Sequence, residues 1–508
     1  MKKKWLVYIG TVLLLILFWY FRTWFQPLIM LFYTHPALIQ AIVLWGLLHY
    51  FWFRNIKKEK VFSYKGQDGK QHTSTFRFKY LSYLVLLIFL ITGLITSNIV
   101  RQLHMVRELE YIPRDSLPEA GNEIRLMPYE VAKRYARDSL QLSQYRLGTE
   151  NIAVIDGRLS WVFPLPPDGF IIKFTLKNKG ITYVDANTQE RNSRMAWKDL
   201  EIGEGMQIRD NLWWNLYRER YFVHTEDPYY IPREGEVHTV VPAVSYTHHF
   251  RYGILYTMPR FAGSFLVDSG GNTVLLTHEE VLDNSILEGN LVFPERLARI
   301  YVQAYQYNNG IINRFFIHDD QIQIQDVSRE NRQPFLMMTE EGLKWFISTE
   351  PHGASHGIFK IFVVDARTGR IELYELPEDQ TLTGPVRAID YVRRSNPVVD
   401  WSRFIMVEPL PFIRDGILYW KVAVIPEDSA GIAYQAFVDS RTNEVVELEK
   451  DWEIALFVAG ETPSTVDIPE GEDKELIESI RQKIQELQEL FEKLERKMED
   501  QESKTQIQ

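Results

Sequence analysis

Histidines and carboxylates are the residues of this chain whose types and spacing could do chemistry. His352 and His356 stand four positions apart, a spacing that forms a zinc-binding pair when both residues lie on one helix. Pro351, Gly353 and Gly357 predict a loop at this point, and no general base follows the first histidine. We therefore expect a surface loop, with a metal or partner site as the alternative.

The other candidates for catalysis or ligation are weaker. His248 and His249 are adjacent, so on a strand their side chains point to opposite faces. The His318-Asp319-Asp320 segment could bind a cation, but it suits a polar turn better. No carboxylate spacing singles out an acid–base pair, and there is no Gly-x-Ser-x-Gly elbow or phosphate loop. The sequence predicts a protein that is not an enzyme, with no catalytic residue, cofactor or metal.

Composition narrows the class of protein. The chain has 508 residues, more than a single hydrophobic core usually organises. Its formal net charge of −10 argues against nucleic acid as a partner. It contains no cysteine, which excludes disulfides and thiolate chemistry and fits a bacterial envelope protein.

One turn motif occurs four times, which makes internal repetition the main architectural signal. In each copy a strand ends at an aspartate, and Thr, Gly or Asn follows within a few residues. An aspartate at the start of a turn accepts hydrogen bonds from the backbone two residues on. We expect these aspartates to stabilise turns, with a ligand role as the alternative. They are Asp185, Asp268, Asp365 and Asp439.

Each turn motif is preceded by a partner strand that opens at a glycine and, further upstream, by a helix. Trp161, Trp345 and Trp420 hold equivalent places on three of these strands, and the second copy has no tryptophan. The mixture of polar and apolar residues predicts sheets covered on one face and wet on the other. The predicted helices span residues 128–141, 212–222, 294–307 and 385–394.

This layout resembles PepSY-like domains, which lie outside the bacterial membrane or in propeptides and pair a helix with an antiparallel sheet. Their Val-Asp-Ala-x-Thr-Gly hairpin is matched completely by residues 364–369, whereas the copies at 184–188 and 438–442 lack the glycine and the copy at 267–273 is expanded. The whole chain is also similar to bacterial membrane-anchored proteins with repeats of this kind. The resemblance implies protease inhibition, localisation or assembly, and hence binding instead of chemistry.

The first hundred residues predict three transmembrane helices, at 5–21, 37–53 and 80–100. A cleaved signal peptide is the alternative for the first. Pro36 would interrupt a helix drawn backwards from the second. Residues 54–79 are rich in Lys and Arg and suit a hairpin, so the positive-inside rule places them in the cytoplasm. The chain after residue 100 would then lie outside the cytoplasm.

The C-terminal tail carries a heptad pattern. Apolar residues alternate spacings of three and four over three heptads, which predicts a coiled coil that oligomerises the chain. The alternative is an amphipathic helix packed on its own domain. The predicted seam consists of Ile477, Ile480, Ile484, Leu487, Phe491, Leu494 and Met498.

The sequence thus predicts an α+β, multi-pass protein of the bacterial cell membrane, with most of its chain extracytoplasmic. The predicted function is a scaffold or regulatory module that holds an envelope protein or peptide by strand addition at sheet edges. The alternative is a subunit of an oligomeric transport or channel-like assembly with an outer vestibule. Expected partners are the lipid bilayer, further copies of the chain and the envelope partner. The predicted divisions are a membrane region (1–104), PepSY-like units (120–200, 201–290, 291–380 and 381–460), a linker (461–472) and a coiled coil (473–500).

Overall fold

The computed structural model describes residues 2–51, 59–65, 71–121, 123–328, 331–353, 357–377, 380–428 and 431–460. Residues 1–451 form one compact body, which mixes helix and antiparallel sheet as the predicted α+β class requires. A second unit begins at residue 452. The predicted linker, the predicted coiled coil with all seven seam residues, and His356 lie outside the described residues.

The helices include one ahead of each predicted partner strand, namely α5, α6, α8 and α10. A short 3-10 turn carries α8 on to Tyr307, where the helix predicted for residues 294–307 ends. The bounds are α1 (Lys2–Tyr20), α2 (Gln26–Thr34), α3 (Pro36–Phe51), α4 (Phe78–Glu108), α5 (Tyr129–Ser139), α6 (Leu212–Glu219), α7 (His278–Asp283), α8 (Glu295–Ala304), α9 (Gly310–Ile312), α10 (Pro385–Ser395) and α11 (Asp451–Val458).

The strands form sheets that are almost wholly antiparallel, with orders β4-β5-β6-β7, β12-β11-β10-β8, β13-β15-β17-β18-β3 and β20-β21-β22-β23. In addition, β9 pairs with β10 and β14 with β15, and two small sheets pair β1 with β2 and β16 with β19. The bounds are β1 (Glu59–Lys65), β2 (Gln71–Arg77), β3 (Tyr111–Arg114), β4 (Asn151–Ile155), β5 (Arg158–Pro164), β6 (Asn178–Asp185), β7 (Ser193–Leu200), β8 (His224–Thr225), β9 (Tyr229–Arg233), β10 (Glu236–Arg251), β11 (Ile254–Val267), β12 (Thr273–Leu276), β13 (Ile322–Gln323), β14 (Phe335–Thr339), β15 (Gly342–Pro351), β16 (Gly357–Ile358), β17 (Lys360–Asp365), β18 (Ile371–Glu375), β19 (Leu382–Thr383), β20 (Phe404–Arg414), β21 (Ile417–Pro426), β22 (Tyr434–Asp439) and β23 (Val445–Leu448).

Within the described residues, one helix, Leu81–Glu108 in α4, is long and apolar enough to cross a membrane. A second candidate is the bent pair Gly10–Tyr20 and Arg22–Thr34, whose halves meet at 68°. α3 is apolar but shorter, and it begins at Pro36 after a break in the helix, as the proline predicted.

The apolar helices α3 and α4 pack against each other. Gly93 of α4 faces Ala37 and Ala41 of α3, and these small residues allow the two backbones to approach closely. Further along the pair, Trp45 Nε1 donates to Ser82 O at 2.8 Å. The two helices therefore form a defined hairpin instead of two independent apolar segments.

The same hydrogen bonds recur in three of the sheets. On a central strand of each sheet, a tryptophan indole N–H donates to the carbonyl of the residue that lies two positions before the first residue of a helix. The carbonyl of the residue after the turn aspartate accepts a backbone N–H from the same segment ahead of the helix. The tryptophan therefore fixes where each helix starts on its sheet. The indole bonds are Trp161 to Met127 O, Trp345 to Phe293 O and Trp420 to Thr383 O, and the acceptors after the aspartates are Ala186, Ala366 and Ser440.

The sheet of β10 and β11 departs from this pattern. Its strands are much longer, with 16 and 14 residues. Each tryptophan lies opposite a valine on the neighbouring strand, and here the residue opposite Val267 is Thr239. The missing tryptophan of the second copy is therefore a replacement at one register position.

The turn aspartates accept backbone N–H groups, from two residues on as predicted in three copies and from four residues on in the expanded copy at Asp268. The bonds run from Asn187 N to Asp185 at 2.9 Å, from Arg367 N to Asp365 at 3.0 Å, from Arg441 N to Asp439 at 2.7 Å and from Asn272 N to Asp268 at 2.8 Å.

The prediction of sheets wet on one face is wrong for the central strands. β15 and β21 are buried on both faces along nearly their whole length. Their polar residues have internal partners: Lys344 Nζ lies 2.8 Å from Asp365 Oδ2, and Lys421 Nζ donates to Arg125 O at 2.6 Å. The polar residues in these strands reflect internal pairing, because neighbouring elements cover the face that was expected to meet water.

Candidate binding cavity

A cavity of about 450 Å³ lies where the three tryptophan-bearing sheets meet, and we call it the central cavity. Its walls combine aromatic rings with an excess of carboxylates over cations. The aromatic residues are Tyr129, Trp161, Phe335 and Trp345; the acids are Glu130, Glu150, Asp227, Glu295 and Glu408; the cations are Arg125 and Arg332.

The aromatic wall is rigid because the fold fixes its members. Trp161 and Trp345 are held by their indole N–H bonds, at 2.9 and 3.0 Å. Tyr129, the first residue of α5, packs on Trp161 with ring centroids 5.6 Å apart. Aromatic rings that are fixed in this way lose little conformational entropy when they bind a ligand.

Glu408 is the most constrained of the acids. It lies at an irregularity in the pairing of β20 with β21 and has φ +49, in the left-handed region that a residue with a side chain seldom adopts. Its carboxylate accepts the backbone N–H of Tyr129 at 2.9 Å, at the start of α5, and lies 3.2 Å from Arg125 Nε. Backbone strain that is maintained by such contacts occurs often at functional sites.

A buried lysine, Lys421, lies near Glu408 and Arg125. Burial lowers the pKa of Lys421 to about 7, and the nearby Glu408 opposes that shift. Its Nζ donates to the carbonyl of Arg125, whose guanidinium lies 5.3 Å from the Trp161 ring centroid. Since Lys421 does not line the central cavity, the cationic groups that do so are Arg125 and Arg332.

Glu295 lies at the start of α8 and lines the same cavity. The Glu295 side chain is exposed to the cavity, but the surrounding protein removes much of its hydration. This desolvation raises the pKa of Glu295 to about 7, and the nearby Glu226 carboxylate contributes to the rise. Its charge therefore changes near neutral pH. A cation in the cavity would favour the ionised form.

A second cavity of about 450 Å³ lies between α2, α4, α8 and β10. Burial raises the pKa of its Glu226 to about 7, while Arg296 opposes the shift. Glu226 lines this cavity and the next residue, Asp227, lines the central one, so the two cavities are neighbours. Arg101 lines this second cavity and also a third cavity of about 280 Å³ beside α4.

The histidines singled out from the sequence lie outside the lining of the central cavity. His352 stacks on His318 with ring centroids 4.2 Å apart, and His318 Nδ1 lies 2.8 Å from Gln321 Oε1. His248 bonds the carbonyl of Tyr33, whereas His249 packs on other rings. Across the described part of the chain, no three His, Asp or Glu side chains converge to hold a metal.

Sequence reasoning identified two residues of the central cavity, Trp161 and Trp345, and missed its acids. Asp227, Glu295 and Glu408 come from segments up to 181 positions apart in the chain, so no local spacing connects them. One signal was available: Glu295 follows Pro294 in the first turn of a predicted helix, the equivalent place to Tyr129 after Pro128.

Comparisons with known proteins leave the family open. No protein-family model matches the chain, and no curated protein matches it. Among solved structures, an α-L-arabinofuranosidase from Lactobacillus brevis is similar over 62% of this chain and 76% of that chain, at 11% identity and a TM-score of 0.17. A TM-score this low carries no argument about fold or activity.

Proposed function

We propose that the protein is a membrane-anchored, extracytoplasmic binding module, a scaffold or regulator and not an enzyme, that takes a cationic segment of an envelope protein or peptide into the central cavity. One observation carries this proposal: rigid aromatic rings and five carboxylates line one cavity together with only two arginines. Lysine and arginine side chains suit such walls, because a cation over an aromatic ring gains roughly 0.5–2 kcal/mol.

The size of the cavity limits what it can hold. A volume of about 450 Å³ is at the small end of the range for ligand sites and accommodates one or two long side chains, not a folded domain. The bound segment would therefore be an extended peptide or an exposed loop. This mode differs from strand addition at a sheet edge, which remains the alternative for the same partner.

Binding of a short acetylated oligolysine peptide to the full-length protein in lipid nanodiscs tests the proposal. We expect Glu295→Gln and Asp227→Asn each to weaken binding about tenfold, equivalent to ~1.4 kcal/mol. Asp199→Asn is the matched control, because Asp199 pairs with Lys179 on an exposed surface outside the cavity lining. If Glu295→Gln, Asp227→Asn and the control Asp199→Asn all bind the oligolysine peptide with equal affinity, the proposal is contradicted.

The pH dependence of that binding is a second test. Since the pKa of Glu295 is raised to about 7, the carboxylate gains its charge as the pH rises through neutrality. We therefore expect oligolysine affinity to increase between pH 6 and pH 8 in the native protein, and this increase to become smaller in Glu295→Gln. A matched peptide of uncharged residues should bind weakly at every pH.

The proposal includes the finer architecture expected from sequence: a multi-pass bacterial membrane protein with three spans and four PepSY-like units. The recurring indole–carbonyl bonds support the repeats, and the close packing of α3 on α4 supports a second span. Reporter fusions after residues 68 and 110 would test the topology. Cytoplasmic activity at the first site and external activity at the second are the expected results.

We also propose that residues 473–500 form a coiled coil that makes the protein a homo-oligomer. The heptad seam from Ile477 to Met498 supports this part of the proposal. Light scattering of the detergent-solubilised protein with and without residues 473–508 tests it. A defined oligomer that dissociates on truncation is expected, whereas a monomer in both forms would contradict it.

The second candidate function is a subunit of a transport or channel-like assembly. Three neighbouring cavities favour it, since Arg101 lines both the second and the third, and the consecutive residues Glu226 and Asp227 line the second and the central one. Conductance across planar bilayers separates the two functions. A binding module gives none, and a transport subunit gives a conductance that Arg101→Ala alters.

A further inference from the structure

The hairpin of β10 and β11 lies along the apolar helices α3 and α4. Arg260 forms an ion pair with Glu108 at 3.0 Å, and the Tyr256 hydroxyl is hydrogen-bonded to His104 Nδ1 at 2.8 Å. Closer to the tip of the hairpin, Gln40 of α3 donates to Gly253 O at 2.6 Å. The hairpin is thus attached to the helices along its length and at its end.

These contacts also show which way the hairpin points along α4. Along α4, Arg101, His104, Arg107 and Glu108 all follow Val100, and the uncharged stretch precedes it. As β11 runs back from Arg260 to its first residue, its partners on α4 descend from Glu108 towards Val100, which packs in the same cluster as Ile254. Gln40 bonds the tip at Gly253, and its neighbours Ala37 and Ala41 face Gly93, so the tip of the hairpin lies beside the apolar part of α4.

The turn at this tip differs from its three counterparts. Each of the four is a two-residue turn with positive φ at both positions, the type I′ geometry that favours Asn or Asp followed by Gly. Three turns have an acid at the first position, whereas the fourth has a tyrosine, for which this backbone conformation is unfavourable. The turns are Asp156–Gly157, Glu234–Gly235, Asp415–Gly416 and Tyr252–Gly253.

The residues at the tip are aromatic, basic and exposed. Phe250 and Tyr252 have 66% and 77% of their surfaces exposed, and Arg251 lies exposed between them. Tyrosine is enriched at membrane–water interfaces, where its ring enters the acyl boundary and its hydroxyl stays hydrated, and arginine there reaches lipid phosphates. Water alone gives no reason to place a strained, exposed tyrosine in this turn.

We propose that the β10–β11 tip, Phe250-Arg251-Tyr252, is an interfacial anchor that inserts into the outer lipid leaflet beside α3 and α4. The aromatic rings lie at the boundary between headgroups and acyl chains, and Arg251 pairs with lipid phosphate. The long strands β10 and β11 then hold the extracytoplasmic body at a fixed distance from the bilayer. This inference rests on the proposed membrane anchoring of α3 and α4, but it does not depend on what the central cavity binds.

The absence of native cysteine makes a site-specific test direct. Tyr252→Cys in the full-length chain is labelled with an environment-sensitive fluorophore and reconstituted into vesicles of phosphatidylcholine and phosphatidylglycerol. Quenching by brominated lipid is compared with quenching by aqueous iodide. The matched control is Glu234→Cys, in the same type of turn at the opposite end of β10, about 50 Å away for a strand of 16 residues.

We expect the label at position 252 to be quenched by brominated lipid and to have an iodide quenching constant about threefold or more below that at position 234. Phe250→Cys gives a second reporter if the label at 252 disturbs the turn, and it should behave in the same way. Equal iodide quenching at 250, 252 and 234, without quenching by brominated lipid, would overturn the proposal.

Discussion

The sheet of β20–β23 and the sheet of β10 and β11 have the same type of turn but contact different parts of the protein. In the first, Trp420 is fully buried and its indole bonds the backbone ahead of α10. In the second, Thr239 takes the tryptophan position, and the strands extend to a tip attached to α3. One sheet is built to fix a helix in the core, whereas the other reaches the apolar helices.

This difference shows what the tryptophan contributes. Where it is present, its indole bonds the backbone just ahead of a helix, and two of the three helices so fixed, α5 and α8, contribute residues to the central cavity. Where it is absent, the helix ahead of the sheet, α6, instead packs on α1, with Trp214 against Tyr20. Removing or adding these features should change the two regions in different ways.

The largest effect is expected at Trp420. Trp420→Ala should cost about 3–5 kcal/mol of unfolding free energy, since it removes a fully buried ring and leaves a cavity. Trp420→Phe should cost less, because it mainly deprives Thr383 O of its donor. Thr239→Ala, at the equivalent register position, should cost only about 1 kcal/mol. Denaturant unfolding of the detergent-solubilised protein provides the measurement, and equal losses at 420 and 239 would contradict the comparison.

The next effect is expected at Glu408. Glu408→Ala should destabilise the protein by about 3 kcal/mol, because it leaves the largely buried Arg125 without its ion-pair partner and removes the acceptor at the start of α5. The exposed pair of Lys179 and Asp199 is the control, and Asp199→Asn should cost under about 0.5 kcal/mol. The same unfolding assay measures both. A small cost at 408 would show that its strained conformation is not maintained by these contacts.

A pH effect is expected from Lys421. Its pKa in the folded protein is lowered to about 7, so between pH 7 and pH 10 the unfolded chain binds more protons than the folded one. This group therefore makes stability rise with pH in that window, at up to about 1.4 kcal/mol per pH unit. Lys421→Met should remove the rise, which unfolding midpoints across the window would detect. An unchanged pH profile would mean that Lys421 keeps its charge when buried.

The smallest effect is expected at Tyr252. Tyr252→Asn should stabilise the detergent-solubilised protein by about 0.5 kcal/mol, because asparagine tolerates the left-handed backbone of a type I′ turn. The same change should reduce protection of the tip by lipid in vesicles. Asp415→Asn, in the matching turn of β20 and β21, should leave both properties unchanged within error. A loss of stability at 252 would indicate that the tyrosine packs within the protein.

Local features were predictable from sequence. The turn aspartates, the equivalence of the three tryptophans, the four helices and the break before Pro36 depend on short-range hydrogen bonds or on the geometry of proline. The register that places Thr239 opposite Val267 also follows from aligning the motifs. These features need only neighbouring residues or pairs that share a hairpin.

The central cavity could not be predicted in the same way. Its walls come from three sheets whose packing depends on which faces are covered, and polar residues such as Lys344 and Lys421 suggested wet faces although they are buried. The strain at Glu408 arises from an irregularity in strand pairing between Val407 and Leu410. Likewise, the exposed Tyr252 is distinctive only once its turn is compared with three others of the same geometry.

Hydrogen–deuterium exchange on the full-length protein in nanodiscs, with and without oligolysine peptide, tests the central claim most directly. If the peptide binds in the central cavity, we expect slower exchange at the start of α5 and in three strands that line the cavity, β5, β15 and β20. Exchange in the sheet-edge strands β7, β12 and β23 should stay unchanged. Protection confined to one of those edge strands would contradict it and favour strand addition. No protection anywhere would remove the cationic partner altogether.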